Sequence, residues 1–175
     1  MRISKRCEYA LRALIDLGIA RELGRNLVTV AMLSSSEKIP VKFLEQILAQ
    51  LRDAGYLRSF RGKLGGYTLA LPLRAIVIGD IVRLMDGPLG PIPCADPDPG
   101  DGRARVRRSS ARAPRARPCT CPDRDHCGLR IVMLDVRSAI SGVLDRCTLA
   151  QVVGVTLRKF RRDGVPLPWL PALAR

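Results

Sequence analysis

Four of the six cysteines and the single histidine fall within one stretch of the chain that is rich in proline, arginine and aspartate. They are Cys94, Cys119, Cys121, His126 and Cys127. Thiolates bind zinc, ferrous iron and iron–sulfur clusters strongly. Free cysteines usually prefer burial, whereas a polar segment such as this one gains order from a bound metal. The composition of the segment therefore favours a metal site over four unligated thiols.

The spacing of these cysteines leaves the metal open. One residue separates Cys119 from Cys121, whereas zinc ribbons place two residues between paired cysteines. Five residues separate Cys121 from Cys127, which matches no common zinc finger. These gaps count against structural zinc, and a redox-active thiol pair stays an alternative. His126 adjoins Cys127 and would point in another direction, so it is a weak ligand candidate.

The other two cysteines have a different setting. Cys7 and Cys147 lie on, or at the end of, apolar stripes with helical spacing. This pattern predicts that both are core residues. We therefore expect neither of them to bind the metal.

Composition narrows the class of partner. The chain has 175 residues and a formal net charge of +14, which excludes an acidic DNA mimic or calcium buffer and favours nucleic acid or an anionic membrane surface. Aromatic residues make up only 4%, so stacking on single-stranded bases is disfavoured. The chain has no uncharged run of the roughly 18 residues that span a bilayer and no signal-peptide pattern. We expect a cytoplasmic protein with reduced thiols and no membrane partner.

The apolar pattern divides the chain into four parts. Residues 1–87 show helical and strand periodicity, residues 88–127 form a cysteine-containing loop with an Arg/Pro-rich insert, residues 128–153 hold a long helix and a short last one, and residues 154–175 form a basic, proline-containing tail. The elements predicted within the first part are a helix over 3–23, a short helix capped by Thr29 that ends at a 34–38 turn, a helix begun by Pro40, a hairpin with strands at 56–60 and 67–70, and a helix ending near Gly87.

Three helices followed by a two-stranded hairpin is the order of a winged helix-turn-helix. In that arrangement the third helix enters the DNA major groove and the hairpin tip approaches phosphates or the minor groove. The same order also occurs in protein-interaction domains, where charges at the tip would simply be solvated. The candidate DNA contacts, on the third helix and at the tip, are Lys42, Phe43, Glu45, Gln46, Arg61 and Lys63.

The sequence disfavours an enzyme. It shows no nucleophile beside a base and no phosphate-binding glycine loop before a helix. The Gly65-Gly66 pair falls in the predicted hairpin, and the chain has a single histidine.

Several short segments in fixed order carry a specific resemblance. They are Tyr9-Ala-Leu-Arg-Ala-Leu14, Phe43-Leu-Glu-Gln46, Leu51-Arg-Asp-Ala-Gly-Tyr-Leu57 and Arg61-Gly-Lys-Leu-Gly-Gly-Tyr67. Together with the late cysteine loop, they resemble the bacterial winged-helix iron–sulfur transcriptional regulators of the IscR and NsrR type. The resemblance covers residues 1–94 and 121–153.

This resemblance implies a homodimeric transcriptional regulator, a repressor that binds a palindromic operator in double-stranded DNA. Its DNA affinity would be controlled by an iron–sulfur cluster that senses redox state, nitric oxide or iron status. Residues 128–146 match the long helix that packs against the partner protomer in that family. The implied fold is mainly α with a small β-hairpin: a winged helix-turn-helix plus a long C-terminal dimerisation helix.

The resemblance also implies the cluster ligands. They would be Cys94, Cys121 and Cys127, with Cys119 a rival for Cys121 because the gap after Cys94 is much longer here than in the family. Cys121 is preferred because its distance to Cys127 is kept. Family members carry 2Fe–2S or 4Fe–4S clusters, and we favour 2Fe–2S. The alternative is a cluster-free winged-helix regulator that uses these cysteines as a zinc or thiol redox switch.

The resemblance leaves two candidates for the fourth cluster ligand, and only one of them is matched in this chain. IscR-like members use a histidine where this chain has Arg130, which cannot coordinate iron. NsrR-like members use a carboxylate from the first helix of the other protomer, and Glu8 occupies that position.

The resemblance carries over some DNA contacts and not others. Glu45 and Arg61 match family residues that read the DNA grooves, whereas Lys42 and Phe43 stand where the family has a serine and a tyrosine.

Overall fold

The chain is mainly helical with one small hairpin, as predicted. The computed structural model describes residues 2–62, 65–95 and 126–165. Two short 3-10 helices, Leu73–Ala75 and Pro93–Ala95, interrupt the connections. The elements in chain order are α1 (Lys5–Glu22), α2 (Val30–Glu37), α3 (Val41–Asp53), β1 (Leu57–Phe60), β2 (Gly66–Leu69), α4 (Ile78–Asp86), α5 (Gly128–Leu144) and α6 (Leu149–Asp163).

Helix α1 lies at the centre of the core. Ser4 caps it by accepting a hydrogen bond from the Cys7 backbone nitrogen at 3.1 Å. One face of α1 is buried against α3, α4 and α6. A Cβ at Gly18 would lie 2.6 Å from Val153 Cγ2, so glycine is required for α6 to approach this closely. The first helix therefore organises the whole winged-helix region.

The turn between α2 and α3 is shorter than predicted. Thr29 caps α2 as expected, since its hydroxyl accepts from the Met32 backbone nitrogen at 3.2 Å. The helix then continues through 34–36 to Glu37, where the sequence predicted a turn. The Ser34 hydroxyl does not compete with the helix backbone, because it donates to the Ile39 carbonyl beyond the helix end, at 2.6 Å. Only residues 38–40, the α2–α3 turn, separate the two helices.

Helix α3 buries one stripe of side chains and exposes the rest. Pro40 stands just before the helix as its N-cap residue. The buried stripe consists of Leu44, Ile47, Leu48 and Leu51, all fully inaccessible to solvent. Gly55, with φ of +82°, turns the chain back into the hairpin, a conformation that glycine adopts without strain.

The hairpin is an antiparallel pair with a register that runs from Leu57 opposite Leu69 to Phe60 opposite Gly66. Tyr67 also exchanges two backbone hydrogen bonds with Val28, at 2.8 and 3.1 Å. A Cβ at Gly66 would lie 2.5 Å from the Val28 carbonyl oxygen. The wing is thereby fixed to the segment that leads into α2.

Helices α5 and α6 attach to α4 at their shared corner. Arg83 on α4 donates two hydrogen bonds to the Asp145 carboxylate, at 2.7 and 2.8 Å. Ile78 and Leu149 add backbone hydrogen bonds across the same corner, to Cys147 and Ile76. The end of α5 and the start of α6 are therefore anchored to the winged-helix region.

Helix α6 is longer than the sequence predicted. The prediction ended it near Val153 and assigned the residues from 154 to the tail, whereas the helix continues to Asp163. It continues because Val153 and Leu157, one turn apart, both pack against the core. Gly154 is therefore an interior helix residue, and Gly164, with φ of +62°, ends the helix.

Within the described ranges, no helix has the length and apolar character needed to cross a membrane.

Candidate nucleic-acid interface and metal site

The outward face of α3 carries three of the candidate DNA contacts. Lys42, Glu45 and Gln46 are exposed there, opposite the buried leucine and isoleucine stripe. A recognition helix needs this division, because one face must pack on the domain while the other reaches base edges. The geometry of these three side chains therefore suits the predicted role.

Phe43 has a second environment. It is half-buried, and its ring lies edge-on to the ring of Tyr9 with 5.9 Å between centroids. The contact joins α3 to α1 and occupies part of the Phe43 ring. Phe43 therefore positions α3 in addition to any contact it makes with DNA.

The wing tip presents a cation on a glycine turn. Arg61 and Gly62 are exposed, and Gly62 has φ of +107°, a conformation open to glycine. Phe60, just before them, is 55% exposed. Lys63 lies outside the described residues. An exposed arginine on such a tip can approach phosphates or a narrow minor groove.

Two candidate cluster ligands, Cys94 and Cys127, lie on segments that pack together. The sequence predicted a loop from residue 88, but Cys94 lies in the 3-10 helix Pro93–Ala95, is 7% exposed, and packs with that helix against α5. Cys127 is the half-buried N-cap residue of α5. Arg130 Nε donates a hydrogen bond to the Cys94 carbonyl oxygen at 3.1 Å. Arg130, which cannot bind iron, thus holds the Cys94 segment against the start of α5.

The remaining sulfur candidates, Cys119 and Cys121, lie outside the described residues, and so does the Arg/Pro-rich insert. In the described part of the chain, no three His, Cys, Asp or Glu side chains lie close enough together to hold a metal ion. The predicted ligand set requires a cysteine from the undescribed segment, together with a carboxylate from the other protomer.

Glu8 lies on the partly exposed face of α1 between two cations. Lys5 Nζ is 2.8 Å from its carboxylate and Arg12 Nη1 is 3.5 Å from it. The hydrogen bond from Lys5, aided by the nearby positive charges, lowers the pKa of the Glu8 carboxyl. Glu8 is therefore ionised near neutral pH, which is the form that binds iron.

The prediction that Cys7 and Cys147 are core residues agrees with their environments. Cys7 is fully buried, and burial, aided by the nearby Asp86 carboxylate, raises the pKa of its thiol to about 12. The thiolate form that binds metal is thereby suppressed. Cys147 is half-buried and packs against the core between α5 and α6.

Sequence reasoning missed Arg12. Its guanidinium contacts Glu8 on its own helix and Glu37 at the end of α2. The spacing of Glu8 and Arg12, four residues apart, was a signal for the first contact. The second contact had no sequence signal, because it depends on how α1 packs beside α2.

Helix α5 exposes an apolar face. None of its residues is buried, and its exposed large hydrophobic residues are 40% to 66% accessible. They are Leu129, Ile131, Val132, Val136 and Val143. Leu129, Val132, Val136 and Val143 follow one another at spacings of three, four and seven residues, which places these four on one face of the helix. An exposed apolar face of this kind marks an interaction site.

The comparison with protein families gives a match over most of the chain. Residues 3–154 match the Rrf2 family, described as iron-dependent transcriptional regulators. The chain belongs to the Rrf2 family. It is accordingly a DNA-binding transcriptional regulator with a winged helix-turn-helix. The predictions of that fold, of transcriptional regulation and of a non-enzymatic role are confirmed.

Individual relatives agree with this assignment to the Rrf2 family. A putative HTH-type transcriptional regulator, rrf2-like, of Rhodobacter capsulatus is 33% identical over 153 residues, which cover 86% of this chain and 91% of that protein. The solved structure of T. potens IscR is similar, with a TM-score of 0.61 and 27% identity over 89% of this chain and 88% of that one. The predicted resemblance to IscR-type regulators is confirmed.

A third similar structure is that of CymR, the global cysteine regulator of B. subtilis. Its TM-score is 0.65, at 24% identity, with 89% of this chain and 98% of that chain covered. At 24% identity this similarity shows that the chain and CymR share a fold.

Proposed function

We propose that this Rrf2-family protein is a homodimeric repressor whose affinity for a palindromic operator is set by an iron–sulfur cluster. The observation that carries the proposal is the packing of Cys94 against the start of α5, where Cys127 stands. The family description as iron-dependent regulators supports iron as the metal.

The donor chemistry of the chain fits such a cluster. Cys94 and Cys127 would supply two thiolates and Cys121 the third, with Cys119 as its rival. Glu8 of the other protomer would be the fourth ligand. When bound, a 2Fe–2S cluster supplies an iron centre that reacts with oxidants and nitric oxide, and one carboxylate ligand leaves one iron labile. Arg130 keeps the Cys94 backbone in place through its hydrogen bond.

The DNA-reading part of the proposal uses α3 and the wing. Lys42, Glu45 and Gln46 would face base edges in the major groove, and Arg61 would reach phosphates or the minor groove, joined by Lys63. Glutamate accepts from cytosine amino groups and arginine favours narrow minor grooves. A twofold dimer places two such units on one operator, which makes the operator palindromic.

The dimer would form through α5. Its apolar face is exposed along the helix, from Leu129 to Val143. In a twofold dimer the same face of a second copy would cover it. The 3-10 helix that carries Cys94 packs on α5, and Arg130 in the first turn of α5 donates a hydrogen bond to it. Loss or damage of the cluster would therefore act where the two protomers meet.

The first test measures the cluster. Protein purified under nitrogen should be coloured and contain iron and acid-labile sulfide. Cys94→Ser, Cys127→Ser and Cys121→Ser should each remove most of the iron, and Glu8→Ala should make the cluster labile. Cys147→Ser is the matched control, because this cysteine packs against the core beyond the end of α5 opposite to Cys127, and it should keep full iron content.

Other outcomes separate the alternatives. Colourless protein without iron or sulfide would contradict the cluster, and stoichiometric zinc in its place would support the zinc switch. Iron lost in Cys119→Ser but kept in Cys121→Ser would identify Cys119, in place of Cys121, as the third thiolate ligand. Equal operator affinity of the loaded and cluster-free forms, by fluorescence anisotropy, would contradict control by the cluster.

A further inference from the structure

The wing exposes an aromatic side chain. Phe60, the last residue of β1, is 55% exposed, and it is the one aromatic among the exposed large hydrophobic residues of the described ranges. It is also absent from the side chains that pack on the core there. A single exposed hydrophobic residue needs no explanation by itself. The setting of the ring therefore decides what it can do.

The strand register fixes the side of the wing on which the ring lies. Phe60 stands opposite Gly66, and directly paired residues place their side chains on the same face of a hairpin. On that face, a Cβ at Gly66 would lie 2.5 Å from the Val28 carbonyl oxygen and 3.2 Å from the Thr29 nitrogen. The Phe60 ring thus shares its face of the wing with the segment that leads into α2.

This face of the wing is directed towards DNA in a helix-turn-helix. The first helix of the motif, here α2, crosses the DNA backbone while the recognition helix α3 lies in the major groove. Arg58, two residues before Phe60 and on the same face, is exposed, and the exposed Arg61 follows the ring. A phenyl ring between two exposed arginines fits DNA, because phosphates pair with the arginines while sugars and bases contact the ring.

The ring is held in a fixed position. Tyr67, next to Gly66 in β2, exchanges two backbone hydrogen bonds with Val28, at 2.8 and 3.1 Å. Phe60 forms the last pair of the ladder with Gly66, so its backbone is fixed to the same segment. A pre-organised side chain loses little conformational freedom when it binds.

The minor groove sets the physical cost of admitting such a ring. This groove is only about 6 Å wide in B-DNA. Apolar side chains enter it by partly unstacking a base step, which bends the duplex towards the major groove. Steps of a pyrimidine followed by a purine unstack most easily. Insertion of a ring therefore adds a bend and a sequence preference without any hydrogen bond to a base.

We propose that Phe60 is a DNA-contact residue whose ring inserts at a pyrimidine–purine step of the minor groove beside Arg61 and bends the operator there. The inference rests on the proposed function, in which the wing reaches the minor groove. In a twofold dimer each half of the operator carries one such step. Phe60 thereby adds a reading of DNA deformability to the base contacts of α3.

The first experiment measures affinity of the full-length chain for a duplex that the wild-type protein selects from a random-sequence pool. Phe60→Ala should lower the affinity by about tenfold, because most of the apolar contact of the ring is lost. Phe60→Leu should keep most of the affinity, since leucine also serves as a wedge. Val155→Ala, at a 44% exposed position on α6, is the control and should bind like the wild type. Thermal unfolding of Phe60→Ala should be unchanged, because the ring is exposed.

The second experiment detects insertion on the DNA itself. A fluorescent adenine analogue at the selected step should brighten on binding, and dyes at the duplex ends should report a bend of about 20° or more. Both signals should disappear with Phe60→Ala. A purine–purine step in its place should lower wild-type affinity about fivefold or more and leave that of Phe60→Ala unchanged. Arg61 is the same in both proteins, so its own preference cancels.

The inference and the proposed function fail in different ways. A wild-type complex with straight DNA and no brightening would overturn insertion, and so would equal affinities of Phe60→Ala and the wild type. A pool that yields no preferred duplex contradicts operator binding itself. Wild-type affinity in Arg61→Ala contradicts the wing contact, whereas a loss of affinity in Arg61→Ala alone contradicts only the role of Phe60.

Discussion

Helices α1 and α5 are nearly equal in length, 18 and 17 residues, yet they differ completely in burial. Nine residues of α1 are buried, and none of α5 is. Both helices carry apolar residues at helical spacing, so the pattern predicts a covered face on each. Helix α1 covers its face with α3, α4 and α6 of its own chain. Apolar periodicity thus says that a face will be covered, and not by which chain.

The difference divides the molecule into two regions. The winged-helix region, from α1 to α4 together with α6, has a core of its own. Within the described residues, α5 touches α4 and the 3-10 helix around Cys94, and most of its apolar face is left free. We expect substitutions in the first region to act on folding and those on the outer face of α5 to act on assembly.

The largest expected effect comes from a charge on the α5 face. Val132→Asp would place a carboxylate from each protomer in the proposed apolar contact, at a cost of about 3 kcal/mol or more. The dimer dissociation constant should therefore rise ~100-fold or more. Sedimentation equilibrium measures it directly.

Phe60→Asp is the matched control for assembly, because Phe60 and Val132 are both 55% exposed. It lies on the wing, so the dimer should stay intact. If Val132→Asp also remains dimeric, α5 is not the dimer contact. The proposal that a second protomer covers the apolar face of α5 is then wrong.

The next effect is in the core of the winged-helix region. Leu48→Ala on α3 empties a fully buried position and should lower the free energy of unfolding by about 2–5 kcal/mol. Urea denaturation should show the same loss at every protein concentration. Val143→Ala on α5, a position 66% exposed in one protomer on the same face as Val132, should matter only at concentrations where the dimer forms. Concentration-independent destabilisation by Val143→Ala would argue that α5 packs within one chain.

The smallest effect concerns the link between the regions. Arg83→Gln removes the paired hydrogen bonds to Asp145 and should cost up to about 1 kcal/mol, since the pair is partly exposed. A double-mutant cycle with Asp145→Asn in urea denaturation isolates the coupling. Arg52→Gln is the control, because Arg52 on α3 pairs with Asp53, the next residue of the same helix, and the change should alter stability little. Equal losses of stability in Arg83→Gln and Arg52→Gln would show that the Arg83–Asp145 pair does not anchor α5 and α6 to α4.

Much of the fold follows from local patterns. The cap at Thr29, the wing glycines and the apolar spacing of α3 were readable because caps, turns and side-chain periodicity act within a few residues. The boundaries went wrong where a distant contact extended an element. Helix α6 continues through Gly154 because Leu157 packs on the core, and α2 continues through its serines.

The candidate site divides in the same way. Sequence motifs named Cys94, Cys127, Glu8 and the exposed residues of α3. These motifs did not predict the hydrogen bond from Arg130 to Cys94, because the two residues meet only when α5 packs on the 3-10 helix that carries Cys94.

The sequence by itself determined the order of the elements, the polarity of their faces and the residue types available for DNA and metal. The tertiary structure alone decided that Arg12 bridges Glu8 and Glu37 and that the apolar face of α5 stays exposed among the described residues. The physical reason is range. Backbone hydrogen bonds and side-chain spacing act between neighbours, whereas contacts between distant residues depend on how finished helices pack.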